Sequence, residues 1–590
     1  MVGRYLVIYA SDADEMGNFA RTITTQAQAT LGLDLVFDAG DVVILADLAL
    51  RAVELPKGEG VLLGDIFPNG GVNRLSRLPP EDGEVIARSG GQTLMSSYWG
   101  AYVGVLHTTS EHGHRALHVL RAPSGEVPCY HIDVAKPQNL RLFFSHLDLV
   151  ADLGLLRTTI DFEAIHQHLV YPVSRPEETC LKGVREVLPG TRISRSRGRW
   201  ETDLLWSPWT SAARDQQYTR RADAVEATRE TALACAKSWA STSSRPLLEL
   251  SGGLDSSIVG ACMTAVGMKP ECVTLVTPDP GADERRYAAA LADHIGAPLH
   301  VAPLAVRDIV VGRLTKLRYP RPVGHYLSRV VDDHFGRLGK DLGTDAFFGG
   351  SGGDYVFGYL GTSAPAADVL LTHGFGPVFF RTVADLATLH RSTIWNAARL
   401  AWIKSRSSTM FDQRPDVSFL TPDTSPNRLP LHWWLTPAAD ALPSKHAQTL
   451  AMAGGQESND ARERSLIAPC RQLLLSQPLV EVGMKTPAWM SIRSGRNRSV
   501  ARDALADLLP SLVLARQTKG NFTVFNNAVY LQNAAQIREL LLEGELARAG
   551  LLDLAAILAH FEGKIARTDA SFNRLIDLAY VEIWTRSWLS

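Results

Sequence analysis

The sequence predicts an α/β protein in two parts. Residues 1–205 read as an α+β sandwich domain, and residues 206–590 as an α/β domain with a parallel sheet and a helical C-terminal part. Three observations carry this. Before about residue 205, short apolar or alternating runs are separated by Gly, Pro, Asn and Asp clusters, the pattern of layered sheets. After about 222, strand-like and helix-like segments alternate, which implies parallel strands covered on both faces. Beyond about 360 the spacing is mostly helical.

The elements follow in order. GRYLVIYA (3–10), DVVILADLAL (41–50), GVLLGDIF (60–67), AYVGVLHTT (101–109), RALHVLRA (115–122) and LRLFFSHLDLV (140–150) read as strands. WSPWTSAARDQQYTRR (206–221) is polar, carries Pro208 and has no periodicity, so a boundary falls there. ADAVEATRETALACAKSWA (222–240) has helical spacing. RPLLELS (245–251) reads as a buried strand, DSSIVGACMTAVG (255–267) as a helix, CVTLVT (272–277) as a strand and ADERRYAAALADHIG (282–296) as a helix. The stretch 405–430, rich in Ser, Pro and Asp, reads as an exposed loop.

Composition excludes several classes. The chain has 590 residues, enough for two to four domains with large cores. Its formal net charge of −2 argues against a dedicated nucleic-acid binder. It has no apolar run of about 18 residues, so no membrane span is expected. The N-terminal apolar stretch lacks a basic leader and ends at Asp12 and Asp14, unlike a signal peptide. The six cysteines have no zinc spacing and read as buried free thiols of a cytoplasmic protein.

The informative segment is PLLELSGGLDSSIVG (246–260), in which an apolar strand runs into Ser251-Gly252-Gly253 and Asp255-Ser256-Ser257 opens a helix. Two glycines allow a tight turn that brings backbone N–H groups to an anion. The helix N-terminus adds donors and a favourable dipole. Ser251 and Ser256 offer hydroxyls to phosphate oxygens. Asp255 would repel a bare phosphate, which implies Mg²⁺ between them. The string is neither a Walker A loop nor a GxGxxG fingerprint.

It resembles the pyrophosphate loop, SGGxDS, of ATP pyrophosphatases. That resemblance implies ATP as cosubstrate, with the loop on the β,γ-phosphates while an acceptor carboxylate or amide oxygen attacks the α-phosphate, giving an acyl-adenylate and pyrophosphate. It implies nucleotide contacts from Leu250, Ser251, Gly252, Gly253, Asp255, Ser256, Ser257, Thr277 and Gly350. AFFGGSGGDYVFGYL (346–360) resembles the asparagine-synthetase motif SGEGADELFGGY, with Asp354 on its first Asp. By that resemblance Asp255 and Asp354 together bind Mg²⁺. Two carboxylates facing one polyphosphate need a cation between them. GVLLGDIF, RAPSGEVPCYH (121–131) and ETCLKGVREVLPGTRI (178–193) resemble segments of the glutaminase domain of the same family. LPSLVLARQTKGNF (509–522) resembles the segment that closes the synthetase site.

The departures narrow the reading. The glutaminase nucleophile is Cys at position 2, and here that residue is Val2, which cannot attack an amide. The Asn that polarises the intermediate is replaced by Leu63. No glutamine hydrolysis is expected, so the amine comes from the substrate. This pattern is similar to the branch that forms intramolecular amides: β-lactam and carbapenam synthetases and lasso peptide cyclases. Ser351 stands where the lactam synthetases have Tyr, and the motif wording is most similar to the lasso peptide cyclases. In those, an Asp or Glu side chain of a precursor peptide is adenylated and joined to the peptide's own N-terminal amine. The resemblance also brings in a leader peptidase and a leader-binding protein as partners. The rivals are a small-molecule lactam synthetase, an ammonia-dependent asparagine synthetase and a non-catalytic peptide-binding scaffold.

The same resemblance gives catalytic candidates. Lys519 occupies the place of the Lys that faces the adenylate and the developing oxyanion. Asp385, 31 residues after Asp354, approximates the carboxylate that orients the base, or is an exposed helix carboxylate. Glu284 is a further candidate, or a helix-start carboxylate. RSGRNRSVAR (493–502) holds four arginines, a solvated face or a phosphate contact. Seven of the twelve tryptophans lie beyond residue 390; most read as core, some as lining for a peptide groove.

Overall fold

The computed structural model describes residues 3–10, 13–109, 115–134, 140–196, 198–313, 315–322, 326–359, 361–407, 415–422, 432–436, 438, 440–456, 462–517, 520, 522–564 and 568–589. The predicted class holds: antiparallel sheets in the N-terminal part, then a parallel sheet, then a helical part. Most of the loop predicted at 405–430 lies outside the described residues.

The N-terminal strands are β1 (Tyr5–Ala10), β2 (Asp34–Asp38), β3 (Val42–Ala46), β4 (Ala52–Glu54), β5 (Gly60–Pro68), β6 (Tyr98–Thr109), β7 (Arg115–Arg121), β8 (Tyr130–Val134), β9 (Leu140–Phe144), β10 (Arg185–Glu186), β11 (Thr191–Ser196) and β12 (Arg199–Leu204). They form two six-stranded sheets, ordered β10-β8-β9-β1-β3-β2 and β12-β11-β7-β6-β5-β4. Alternate residues of β1 enter two different cores. Tyr5 and Val7 pack between the sheets with Val61 and Val103. Leu6 and Ile8 pack outward with Ile23 and with Val529 and Leu575 of the C-terminal helices. On the far side, Leu62, Tyr102 and Leu120 lie under Ile86 and Leu94. Helices therefore cover both outer faces, which is why these strands read as continuous apolar runs instead of strict alternations.

The third sheet is parallel throughout, with strands β13 (Pro246–Glu249), β14 (Glu271–Val276), β15 (Leu299–Pro303), β16 (Ala346–Phe348) and β17 (Cys470–Arg471). Their order is β15-β14-β13-β16-β17. The chain builds outward from β13 on one side, then returns to β16 on the other. The strand order thus reverses between β13 and β16, and ligands of open parallel sheets bind outside the carboxyl ends of such a pair. Leu247, Leu248 and Leu250 are buried, each contributing about 2 kcal/mol of apolar burial. Helix α1 (Leu254–Ala265) follows β13, and α2 (Arg285–Ile295) follows β14. Further on, α3 (Ala364–His373), α4 (Pro377–Leu389) and α5 (Ile394–Arg406) pack around a separate small core of Val369, Phe379, Val383, Ala397 and Ala401.

Buried charge joins the N-terminal sheets to the rest. Glu186 is fully buried and accepts from Arg121 (2.6 Å), Arg175 and Arg321. Arg471 of β17 pairs with Asp65 and Glu126 and lies over the Trp239 ring at 5.0 Å. Leu63 is wholly buried between its partners Ala52 and Val103. Position 2 lies outside the described residues. All six cysteines are free thiols, five of them buried. Among the described residues no helix is long and apolar enough to cross a membrane.

Candidate active site

The site forms where β13 and β16 end side by side, in the register Leu247↔Phe347 and Leu248↔Phe348. Each strand runs into a glycine loop, and the two loops touch. A Cβ on Gly350 would lie 2.4 Å from the Ser256 backbone nitrogen, and one on Gly353 would lie 2.5 Å from Asp255 Cγ. Only glycine permits that approach. Gly252 takes the left-handed conformation, φ +68°, that turns the first loop. Gly253 then caps α1 without a side-chain hydrogen bond, so no capping side chain competes for the first-turn N–H groups. Ser251 and Ser256 hydroxyls lie 3.1 Å apart and brace the loop.

A cavity of about 520 Å³ opens here. Ser251, Gly253, Asp255, Ser256, Gly350 and Asp354 line it, as the motif reading requires. Leu250, Gly252, Ser257 and Thr277 do not. Leu250 is core, and Gly252 supplies the turn. Ser257 Oγ and Thr277 Oγ1 are buried and have no hydrogen-bond partner among the described residues.

The arginine run resolves toward the cavity: Arg496, Arg498 and Arg502 line it, whereas Arg493 points to Asp503. Arg498 is central. Its Nη1 donates to Asp255 Oδ2 and to Asp354 Oδ1, both at 2.7 Å. Arg502 donates to the carbonyls of Asn497 (3.2 Å), Leu514 (2.7 Å) and Arg516 (3.1 Å), tying the arginine loop to the segment 513–517. Burial, with Arg498 and Arg496 close by, pushes Arg502 down to about 10. This marks a concentrated positive field. Arg391 and Arg516 also line the cavity, making five arginines against the carboxylates of Glu249, Asp255 and Asp354. Burial would raise the Glu249 carboxyl, but Arg464 and Arg462 outweigh it and hold it below its usual range.

The candidate catalytic residues separate. Glu284 binds Arg516 and accepts from the Gly520 backbone N–H at 2.9 Å. Arg516 in turn donates to the Gly252 carbonyl at 2.8 Å and stacks 4.1 Å from the Tyr287 ring centroid. Glu284 thus holds Arg516 on the phosphate loop and does not itself line the cavity. Asp385 accepts from the Gly495 N–H at 3.1 Å and anchors the arginine loop to α4. Lys519 lies outside the described residues. Ser351 is held by Arg462 at 3.3 Å.

Two carboxylates that share one guanidinium at hydrogen-bond distance suit a shared divalent cation, so Asp255 and Asp354 fit the role given to them. Among the described residues no group of three or more His, Cys, Asp or Glu could hold a metal by itself. Any cation here would complete its shell from phosphate and water, as Mg²⁺ does. Arg498, Arg391 and Glu249 are site residues that motif spacing did not single out. Their signal in the sequence is weak: Arg498 lies in the arginine-rich run 493–502, while Glu249 and Arg391 carry none.

A crevice at a switch point, with a helix N-terminus, paired carboxylates and excess arginine, suits a polyphosphate. The class it defines is the ATP-dependent ligases. The asparagine synthase family model matches residues 242–588, more than half of the chain, and the chain belongs to that family of amide-forming, ATP-dependent enzymes. No curated protein matches the chain.

Proposed function

We propose that the chain is a lasso peptide cyclase. It adenylates an Asp or Glu side chain of a precursor peptide and closes an isopeptide bond with that peptide's N-terminal amine. In the first step the peptide carboxylate attacks the α-phosphate of ATP, and pyrophosphate leaves. In the second the amine attacks the acyl-adenylate, AMP leaves, and the amine proton is lost to solvent or base. Ser251, Ser256 and the α1 N-terminus hold the pyrophosphate, with Arg498 and Arg516 beside it. Asp255 and Asp354 would hold Mg²⁺, which neutralises charge on the phosphates. By the resemblance, Lys519 would stabilise the oxyanion of the second step.

What supports this reading is the cavity where Asp255 and Asp354 converge on Arg498, together with an N-terminal part that, by resemblance, lacks the residues for releasing ammonia. By the resemblance, Leu63, an apolar core residue, stands where the family has a polarising amide. An amine already present in the substrate removes the need for ammonia. Incubation with a candidate precursor peptide, ATP and Mg²⁺ should yield a product lighter by one water, with stoichiometric pyrophosphate. Ammonia release from glutamine, or asparagine from aspartate and ammonia, would refute it. Asp255→Asn and Asp354→Asn should each abolish pyrophosphate release; wild-type rates would sink their assignment.

A further inference from the structure

The cavity does not explain α5. This helix turns Ala397 and Ala401 inward and leaves large apolar side chains in solvent: Trp395 is 84% exposed, Trp402 45% and Ile403 46%. Single exposed apolar residues need no explanation, but a contiguous set marks an interaction site. Trp395, Arg399, Trp402 and Arg406 recur at helical spacing and share one face. The Arg406 guanidinium lies 4.6 Å from the Trp402 ring centroid. Among the described residues Arg391, Arg399 and Arg406 have no carboxylate partner, and α5 carries no acidic residue. Trp and Arg are the side chains that dominate binding hot spots.

The strip begins a few residues from the cavity lining. Arg391 lines the cavity, and Trp395 follows four residues later, at most about 14 Å away. Helix α5 has 13 residues, a length of about 20 Å, which an extended peptide covers with about six residues.

We propose that this face of α5 docks an acidic, apolar stretch of the peptide whose carboxylate is activated in the cavity. Arginines that have no carboxylate partner among the described residues, beside exposed indoles, complement carboxylates interleaved with apolar side chains. The proposal rests on the peptide-cyclase reading and locates its substrate surface.

The test uses the full chain and fluorescence anisotropy with a rhodamine-labelled twelve-residue peptide of Glu, Leu and Tyr. A counterpart with every Glu replaced by Lys and phosphatidylglycerol vesicles serve as controls. The acidic probe should bind the wild type and the Lys probe should not. Trp395→Ala with Trp402→Ala should weaken binding at least about tenfold. Arg399→Glu with Arg406→Glu should abolish it, and provides the readout if the tryptophan variant unfolds. Both should bind ATP as the wild type does. Equal binding of both probes, equal binding by the variants, or vesicle binding without peptide binding overturns the proposal. If the probe binds this strip yet no peptide is dehydrated, docking stands and the cyclase reading falls. If a peptide is cyclised with unchanged KM by both variants, the reverse holds.

Discussion

At the residue scale, the site depends on atoms that are absent. Gly350 lets one loop pass a backbone nitrogen at 2.4 Å from where a methyl would stand. Gly350→Ala must push the loops apart, at a cost of about 1–3 kcal/mol. ATP affinity, measured by calorimetry, should fall at least tenfold with the fold retained; unchanged affinity would show that the loops do not act together. Arg498 presents a different case. Its guanidinium occupies the space between two carboxylates that a divalent cation also needs. Arg498→Ala should bind Mn²⁺ more tightly in the absence of nucleotide, by about fivefold in an electron paramagnetic resonance titration, while pyrophosphate release slows. Weaker Mn²⁺ binding would rule out the competition.

At the element scale, the segment 493–517 reaches the phosphate loop through Arg498 and Arg516, and Arg502 ties its two halves together. Glu284 is its anchor on the other side. Glu284→Gln keeps the shape but removes the charge that holds Arg516. The KM for ATP should rise about five- to tenfold with kcat changed less than twofold, because positioning of the nucleotide is lost and not the chemistry. A kcat collapse with KM intact would instead make Glu284 a catalytic group. The phosphate loop was legible in the sequence because it is local: strand, turn and helix start fall within fifteen residues. Asp354 was legible through its glycine-rich motif. The roles of Glu284 and Asp385 were not, since each depends on contact with a segment more than a hundred residues away. The covering of both sheet faces was hidden for the same reason: β1 looks the same in sequence whichever helices lie on it.

At the scale of the whole molecule, Glu186 joins parts distant in sequence. Its pKa is set well below the usual carboxylate range: burial raises it, but Arg175, Arg321 and Arg121 prevail. Its stabilising effect is therefore complete above the unfolded carboxylate pKa and is lost only as pH falls through the lower folded value. Glu186→Gln leaves three buried guanidinium groups uncompensated and should cost about 3–5 kcal/mol in urea unfolding; a loss under 1 kcal/mol would contradict the buried cluster. Histidines set a milder limit. His131 and His432 are buried and pushed down to about 3, by burial first and then by nearby arginines. The unfolded chain binds their protons near 6.5 and the folded chain does not. Stability should thus decline from about pH 6.5 downward, each histidine contributing up to about 1.4 kcal/mol per pH unit. Urea midpoints at pH 7.5 and 5.5 check this, and a higher midpoint at 5.5 would reverse the sign.

The order of the parallel sheet also governs the birth of the protein. Strand β13 is made early, but its neighbour β16 comes about a hundred residues later and β17 later still. At ribosomal speeds of about 5–20 residues per second, the central strand waits about 5–20 seconds for its last partner, β16. During that interval Glu249 lacks Arg464, and the apolar strands lack one flank. A nascent chain stalled before Cys470 therefore displays an open sheet edge, and this is the stage at which chaperone capture would matter most.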